Sequence, residues 1–409
     1  MTFILITIAV LGFLSIILED VIHVDKARST LFFGTLAWVL YFINPPGHLS
    51  TEQLMHALNE NLLEIATLWL FLMAAMTFVA YVSSKGVIDA LVNKVLPHKM
   101  SERKLMYVVG LFAFVFSSMA DNITATLVCI TVLLSLNLST EKLLRYLVLV
   151  VFAVNSGGAA LITGDVTTLM IFLADKVKIG DLILLSLPAL ASVIFLAFIL
   201  SISLKGEVVL VKQKMSIAGS DAFIAGLFLA TILGTIGANV AFGIPPVLSF
   251  LFGLGVMFMA VHFLNKDEAV LEYIRKIEFD TLLFFLGVLL LVGILKEMGV
   301  LAHFPQLYEH LPTLAANYTV GLISALFDNV PLTAALLKSG IDMTEAQWLT
   351  LTYSVGVGGS LLAIGSAAGV VAMSKIESLT FITYLRFSGY LLAAYSLGFL
   401  GVYLVSFAI

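Results

Sequence analysis

The sequence predicts an all-α polytopic membrane protein made of two inverted repeats of five transmembrane helices, each repeat carrying a re-entrant hairpin and a broken helix. Three observations lead there. Of 409 residues, 61% are hydrophobic and 11% charged, and the mean hydropathy is +1.10; a soluble domain carries roughly 25% charged residues. A polar, glycine-rich stretch inside an apolar run recurs 201 positions later with the same Gly-Gly-x5-Gly spacing. Each half counts an odd number of spans, so the second half inserts upside down relative to the first.

The first repeat occupies residues 1–204. Residues 2–18 and 29–43 form the first two spans, joined by a charged turn at 19–28 and closed by Pro45 and Pro46, which cannot continue a helix. The apolar N-terminus has no basic residue before it and no cleavage signature, so it reads as a span rather than a signal peptide. Residues 51–61 form an amphipathic approach to a third span at 62–83, and a basic surface segment follows at 85–104. Residues 105–138 are apolar except for Ser117-Ser118-Met119-Ala120-Asp121-Asn122-Ile123-Thr124 at the centre. Each apolar arm of about 16 residues reaches about 24 Å as a helix, short of a ~30 Å hydrocarbon core. A single helix would hold Asp121 in lipid, whereas a hairpin returning to its own side places Asp121 and Asn122 at an internal tip. A plainer reading makes Asp121 only the cap of the second arm. Residues 143–173 are the broken helix, interrupted by Asn155, Ser156, Gly157, Gly158, Gly164, Asp165, Thr167 and Thr168. Glycines for close packing and self-bonded hydroxyls are the plainer account there. A span at 179–204 completes the repeat.

A polar cytoplasmic linker at 205–219 leads to the second repeat, 220–409. Spans at 221–242 and 246–264 flank a Pro-Pro turn, and residues 265–280 approach the next span at 281. Thr281-Leu282-Leu283-Phe284-Phe285-Leu286 echoes Thr67-Leu68-Trp69-Leu70-Phe71-Leu72 at an offset of 214. Phe327-Asp328-Asn329-Val330-Pro331 echoes the first hairpin tip at an offset of 207, placing the second hairpin at about 313–340. The second broken helix, 344–374, contains Gly358, Gly359, Ser360, Gly365 and Ser366, and the last span lies within 376–407. With the N-terminus outside, 16 basic residues fall on the inner surface and 4 on the outer, leaving Arg386 in the last span. That bias puts both termini outside, the first hairpin entering from the cytoplasm and the second from the opposite side.

Broken helices at membrane depth, present twice, mark a transporter. Carbonyls at the broken ends and Asn, Ser and Thr side chains suit a hard cation. Asp121, Asp165 and Asp328 lie at the two hairpin tips and two breaks, and the residues of these four points include no Lys or Arg. They attract a cation and repel an anion. Desolvation raises a carboxylate's pKa and a bound cation lowers it, so the same oxygens can hold either a proton or a small metal ion. Candidate ion or proton ligands are Asp121, Asn122, Asn155, Ser156, Gly157, Asp165, Thr167, Thr168, Asp328, Asn329, Ser360 and Ser366, with a Na⁺ site at Asp121, Asn122, Asn155, Asp165 and Asp328. Asp165 follows the first break where Ser366 follows the second, so the main cation site belongs to the first half. Glu64 reads as interfacial and Lys338 as a lysine snorkelling to the surface. The seven histidines lie in or near loops without metal-ligand spacing, Cys129 stands alone, and there is no P-loop. No cofactor, enzymatic chemistry or nucleic-acid partner is expected.

Ser118-Met119-Ala120-Asp121-Asn122, Asn155-Ser156-Gly157-Gly158 with Gly164-Asp165-Val166-Thr167-Thr168, and Phe327-Asp328-Asn329-Val330-Pro331 together resemble the NhaD family of sodium/proton antiporters. That family belongs to the ion transporter superfamily, which also holds dicarboxylate and arsenite carriers. The resemblance spans nearly the whole chain. It implies exchange of Na⁺ (and Li⁺) for H⁺, a homodimer with a scaffold and a moving transport part, and a bacterial inner membrane. Dicarboxylate carriers resemble one another in Ser-Asn-Thr signatures at the tips and breaks, where this chain has Asp-Asn. A Na⁺-coupled carrier of an organic anion or oxyanion is the alternative, and a channel a third class.

Overall fold

A computed structural model describes residues 2–17, 19–45, 50–95, 99–136, 138–209, 217–265, 268–326 and 328–406. Leu18, Pro46, His48, His98, Lys212, Lys214, Met215, Lys266 and Phe327 lie outside the described residues. The principal helices of the first half are α1 (Thr2–Ile17), α2 (Lys26–Ile43), α3 (Thr51–Ser84), α4 (Glu102–Met119), α5 (Asn122–Leu134), α6 (Thr140–Gly158), α7 (Val166–Leu173) and α8 (Ile179–Ser201). Those of the second half are α9 (Gly219–Phe242), α10 (Pro246–Leu264), α11 (Phe279–Glu297), α12 (Thr313–Ser324), α13 (Asn329–Lys338), α14 (Glu345–Gly358), α15 (Ala367–Lys375) and α16 (Ser388–Ser406).

Among the described residues, six helices are long and apolar enough to cross a membrane: α3, α8, α9, α10, α11 and α16. The expectation was ten spans. Four are missing: the two broken helices, each split into pieces that are individually too short or too polar, α1, of which 16 residues are described, and α2, whose first turn carries Lys26 and Arg28. The α-helix is interrupted at residues 159–165, between α6 and α7, and at 359–366, between α14 and α15.

Packing is reciprocal between the halves and matched within them. α2 packs against α11 as α10 packs against α3, and α4 packs on α6 as α12 packs on α14. At the centre, α5 of the first half meets α15 of the second, and α13 of the second meets α7 of the first. Glycine makes these crossings possible. A Cβ on Gly157 would stand 2.1 Å from the carbonyl oxygen of Phe114, and one on Gly358 would stand 2.2 Å from that of Gly321. Backbone meets backbone there, so even alanine would force the helices apart, at a cost of about 1–3 kcal/mol. The repeated Gly-Gly signature therefore seats α4 on α6 and α12 on α14.

Several boundaries differ from the sequence reading. The approach at 51–61 and the third span are one helix, α3, because a Ser50/Gln53 capping box starts it and no proline or glycine interrupts it. α2 begins at Lys26 rather than residue 29, since Asp25 caps it by accepting from the Ala27 amide at 2.8 Å. The basic segment and the linker pair through a two-stranded antiparallel ribbon, Lys99–Ser101 with Glu207–Val209, which helical periodicity could not reveal. Lys338 is not a surface lysine. Its side chain is 10% exposed, pairs with Glu64 at 2.8 Å and donates to Asn61 Oδ1 at 2.9 Å.

Candidate functional site

Four helix N-termini meet at the centre, and each is capped by a residue that the sequence singled out. Asp121 caps α5, its two oxygens accepting from the Thr124 amide at 2.8 Å and the Thr124 hydroxyl at 2.7 Å. Asp165 caps α7, accepting from the Thr167 amide at 3.2 Å and hydroxyl at 2.8 Å. Asp328 caps α13 through the Val330 amide at 3.0 Å, and Ser366 caps α15 through the Gly369 amide at 3.4 Å. The capping role of Asp121 is thus real, but it does not remove the carboxylate from the interior. Each N-terminus contributes a partial positive charge that favours the ionised acid.

A cavity of about 190 Å³ joins these caps. Of the predicted ligands, Asp121, Asn122, Asn155, Asp165, Asp328, Asn329 and Ser366 line it. An amide relay links the halves across its floor: Ser117 Oγ donates to Asn122 Oδ1 at 2.8 Å, Asn122 Nδ2 to Asn155 Oδ1 at 3.5 Å, and Asn155 Nδ2 to Ser366 Oγ at 3.0 Å. Ser156, Gly157, Thr167, Thr168 and Ser360 do not line the cavity. Thr167 holds Asp165, Gly157 admits the α4 backbone, and Ser360 turns back to the Val357 carbonyl at 2.6 Å. The hydroxyls of Ser156 and Thr168 are buried and have no hydrogen-bond partner among the described residues. That is costly in an apolar interior, and it leaves two oxygens beside the first break uncommitted.

Three further acids and one base belong to this region that the sequence reading did not assign to it. Asp25, Lys26 and Asp280 line the cavity, so five aspartates face a single lysine. Lys26 Nζ lies 3.2 Å from Asp328 Oδ2, where the sequence reading had put Lys26 on the inner surface. Glu278, just ahead of α11, is pushed up to about 7, chiefly by burial and then by the charge of Asp121. No motif marks these residues. They sit in charged turns between apolar runs, a pattern that ordinarily means water. The expected five-residue Na⁺ shell is not drawn together as one cluster, since no three acidic, His or Cys side chains among the described residues converge to hold a metal. The cause is visible: Asp121 and Asp165 are turned to their own helix ends, and Asp328 is held by Lys26.

Comparison with known proteins gives two findings. A family model described as a citrate transporter matches residues 2–369. The chain is 32% identical over 415 residues to a Na⁺/H⁺ antiporter NhaD of Vibrio cholerae, covering 93% of this chain and 87% of the relative. It is 30% identical to an antiporter NhaD of Alkalimonas amylolytica, covering 96% and 88%. A sodium/proton antiporter 1 of Arabidopsis thaliana is 32% identical, covering 95% of this chain and 70% of that protein.

Proposed function

Because the chain belongs to the family of NhaD-type sodium/proton antiporters and, as a multi-pass membrane protein, exchanges Na⁺ for H⁺, we propose that both ions bind in the cavity capped by Asp121, Asp165 and Asp328. The observation that carries this is the charge of the lining, five aspartates against one lysine, gathered at capped helix ends. Carboxylates and amide oxygens replace the hydration shell of a small cation, Na⁺ and with it Li⁺, and protonation of the same carboxylates releases it. The loaded forms then cross by alternating access, driven by the ion gradients with no cofactor.

The reciprocal packing supports two inverted repeats, 1–204 and 220–409, each of five spans and a hairpin, with α4–α5 and α12–α13 as the hairpins. In this arrangement both termini are periplasmic in a bacterial inner membrane. α9, α10 and α16 are the least buried of the six apolar spans, and the adjacent pair α9 and α10 suits a dimer scaffold. Such a protein would serve salt tolerance and pH homeostasis. A single cysteine at Met215 should label only from the cytoplasmic side and one at Pro46 only from outside. Labelling of both from one face would break the inverted repeat.

The alternative, a Na⁺-coupled carrier of an organic anion, takes its support from the description of the family model. The acidic lining opposes it, because a citrate-like anion would meet like charge at every tip. Proteoliposomes separate the two. An imposed Na⁺ or Li⁺ gradient should move protons without added anion, and a strict requirement for citrate would reverse the assignment.

Glu278 adds a pH dependence. With its carboxyl pushed up to about 7, it is neutral below that pH and negative above it. Ionisation next to Asp121 strengthens the pull on a cation, so the apparent Na⁺ KM should fall as pH rises through about 7. Glu278→Gln should flatten that part of the profile while leaving the acid side unchanged. An unaltered profile would remove Glu278 from the site.

A further inference from the structure

Nothing in the exchange reaction described above calls for a lysine in the cavity, yet one is built into it. Lys26 opens α2, and Asp328 caps α13, 302 positions away. The ammonium nitrogen lies 3.2 Å from Asp328 Oδ2, with the two side chains 25% and 12% exposed. It also sits over the Phe284 ring of α11, 4.6 Å from the centroid, which favours the charged ammonium at a partly dry position. The other oxygen of Asp328 accepts from the Val330 amide. Asp328 is therefore fully engaged and electrically neutralised. Asp121 and Asp165 are held only by the neutral amides and hydroxyls of Thr124 and Thr167.

An ammonium at this distance occupies the place at the carboxylate that a dehydrated monovalent cation would take. We propose that Lys26 is a tethered counter-cation, which holds Asp328 while the ion site is empty, gives way when Na⁺ reaches that carboxylate, and thereby sets the affinity for Na⁺. This rests on the reading that Na⁺ binds in this cavity. It assigns the two halves different parts: the first offers open carboxylates, and the second offers one already occupied by the protein's own cation. Lys26 sets affinity here, acting through charge on the site rather than through the fold.

The sign of the effects is what distinguishes the two roles. Without the ammonium, Asp328 becomes a further uncompensated anion in a small cavity, and Na⁺ should bind more tightly. Without the Asp328 charge, the ammonium is released beside Asp121 and Asp165 and competes there with Na⁺, which should then bind more weakly. Removing both charges restores the balance. A lysine that only held helices together would instead weaken the protein in either single variant.

The experiment uses the full chain purified in detergent and in proteoliposomes, with wild type, Lys26→Gln, Asp328→Asn, the double variant and Lys26→Arg compared at one pH. Two readouts are taken: the apparent KM for Na⁺ in proton-coupled flux, and the Na⁺ concentration that half-maximally raises the melting temperature. The second needs no turnover, so a variant that cannot transport still reports its affinity. Lys26→Gln is expected to tighten Na⁺ binding about threefold or more, Asp328→Asn to weaken it by a similar factor, and the double variant to return to within about twofold of wild type. Lys26→Arg, which keeps the charge, should stay near wild type. Equal Na⁺ affinity in wild type and folded Lys26→Gln, or shifts of the two single variants in the same direction, would overturn the proposal. Wild-type exchange of Na⁺ with an unchanged Na⁺ affinity in both Asp121→Asn and Asp165→Asn would instead move the ion out of this cavity, and the underlying reading would fail with it.

Discussion

Asp165→Asn is expected to yield a folded, inserted protein whose Na⁺/H⁺ exchange is lost by about 100-fold or more, with Asp121→Asn close behind. The substitution is nearly isosteric, and asparagine caps a helix as well as aspartate does, so α7 and α5 should keep their N-termini. What disappears is one negative charge at a position 7% exposed, where water cannot replace it. Taking away the anion that offsets a dehydrated cation costs about 3–5 kcal/mol, which corresponds to two or more powers of ten. Melting temperature and elution profile report the fold, and proton flux on a Na⁺ pulse reports the loss. The Thr167 hydroxyl that holds Asp165 can turn to accept from the new amide, so a fall in stability should be small beside the fall in flux. Near-normal exchange by a stable Asp165→Asn protein would end the assignment.

The contrast between Asp165 and Lys26 shows what the sequence carried and what it did not. Asp121, Asp165 and Asp328 were legible because each interrupts an apolar run, and a carboxylate there is costly unless it serves something. Recurrence at offsets of 201 and 207 then pointed to four positions, which lie at the junctions between α4 and α5, α6 and α7, α12 and α13, and α14 and α15. Lys26, Asp25 and Asp280 interrupt nothing. They stand in turns where charge is the default, and only the folding of those turns toward the centre brings them to the cavity. Lys338 failed for a related reason: one lysine at the end of an apolar helix reads as snorkelling, and its partner Glu64 lies 274 residues earlier in the chain. Gly157 was legible as special and misassigned in kind, because spacing records that a side chain is forbidden without recording what fills its place. Here it is the Phe114 carbonyl.

Addition of Na⁺ to weakly buffered, detergent-solubilised protein is expected to release protons, and lowering the pH is expected to raise the apparent Na⁺ KM with a smaller effect on maximal rate. Both follow from the use of one set of carboxylates for two ions. A carboxyl oxygen that carries a proton cannot also coordinate Na⁺, and protonation removes the charge that offsets the ion's lost hydration. Coupling of this kind is reciprocal: if protons weaken Na⁺ binding, Na⁺ must expel protons by the same free energy. Each pKa unit between the free and ion-bound states amounts to ~1.4 kcal/mol, or about tenfold in affinity. Glu278 contributes only a charge at the border of the cavity, so Glu278→Gln should remove part of the pH dependence and leave the proton release in place. Asp165→Asn should abolish most of that release. K⁺, larger and less tightly coordinated, serves as the control and should release none from a Na⁺-selective site. A Na⁺ KM that stays flat between about pH 6 and 9, together with no proton release, would require separate sites for the two ions. The capped aspartates could not then be the shared ligands, and the cavity would hold at most one of the exchanged species.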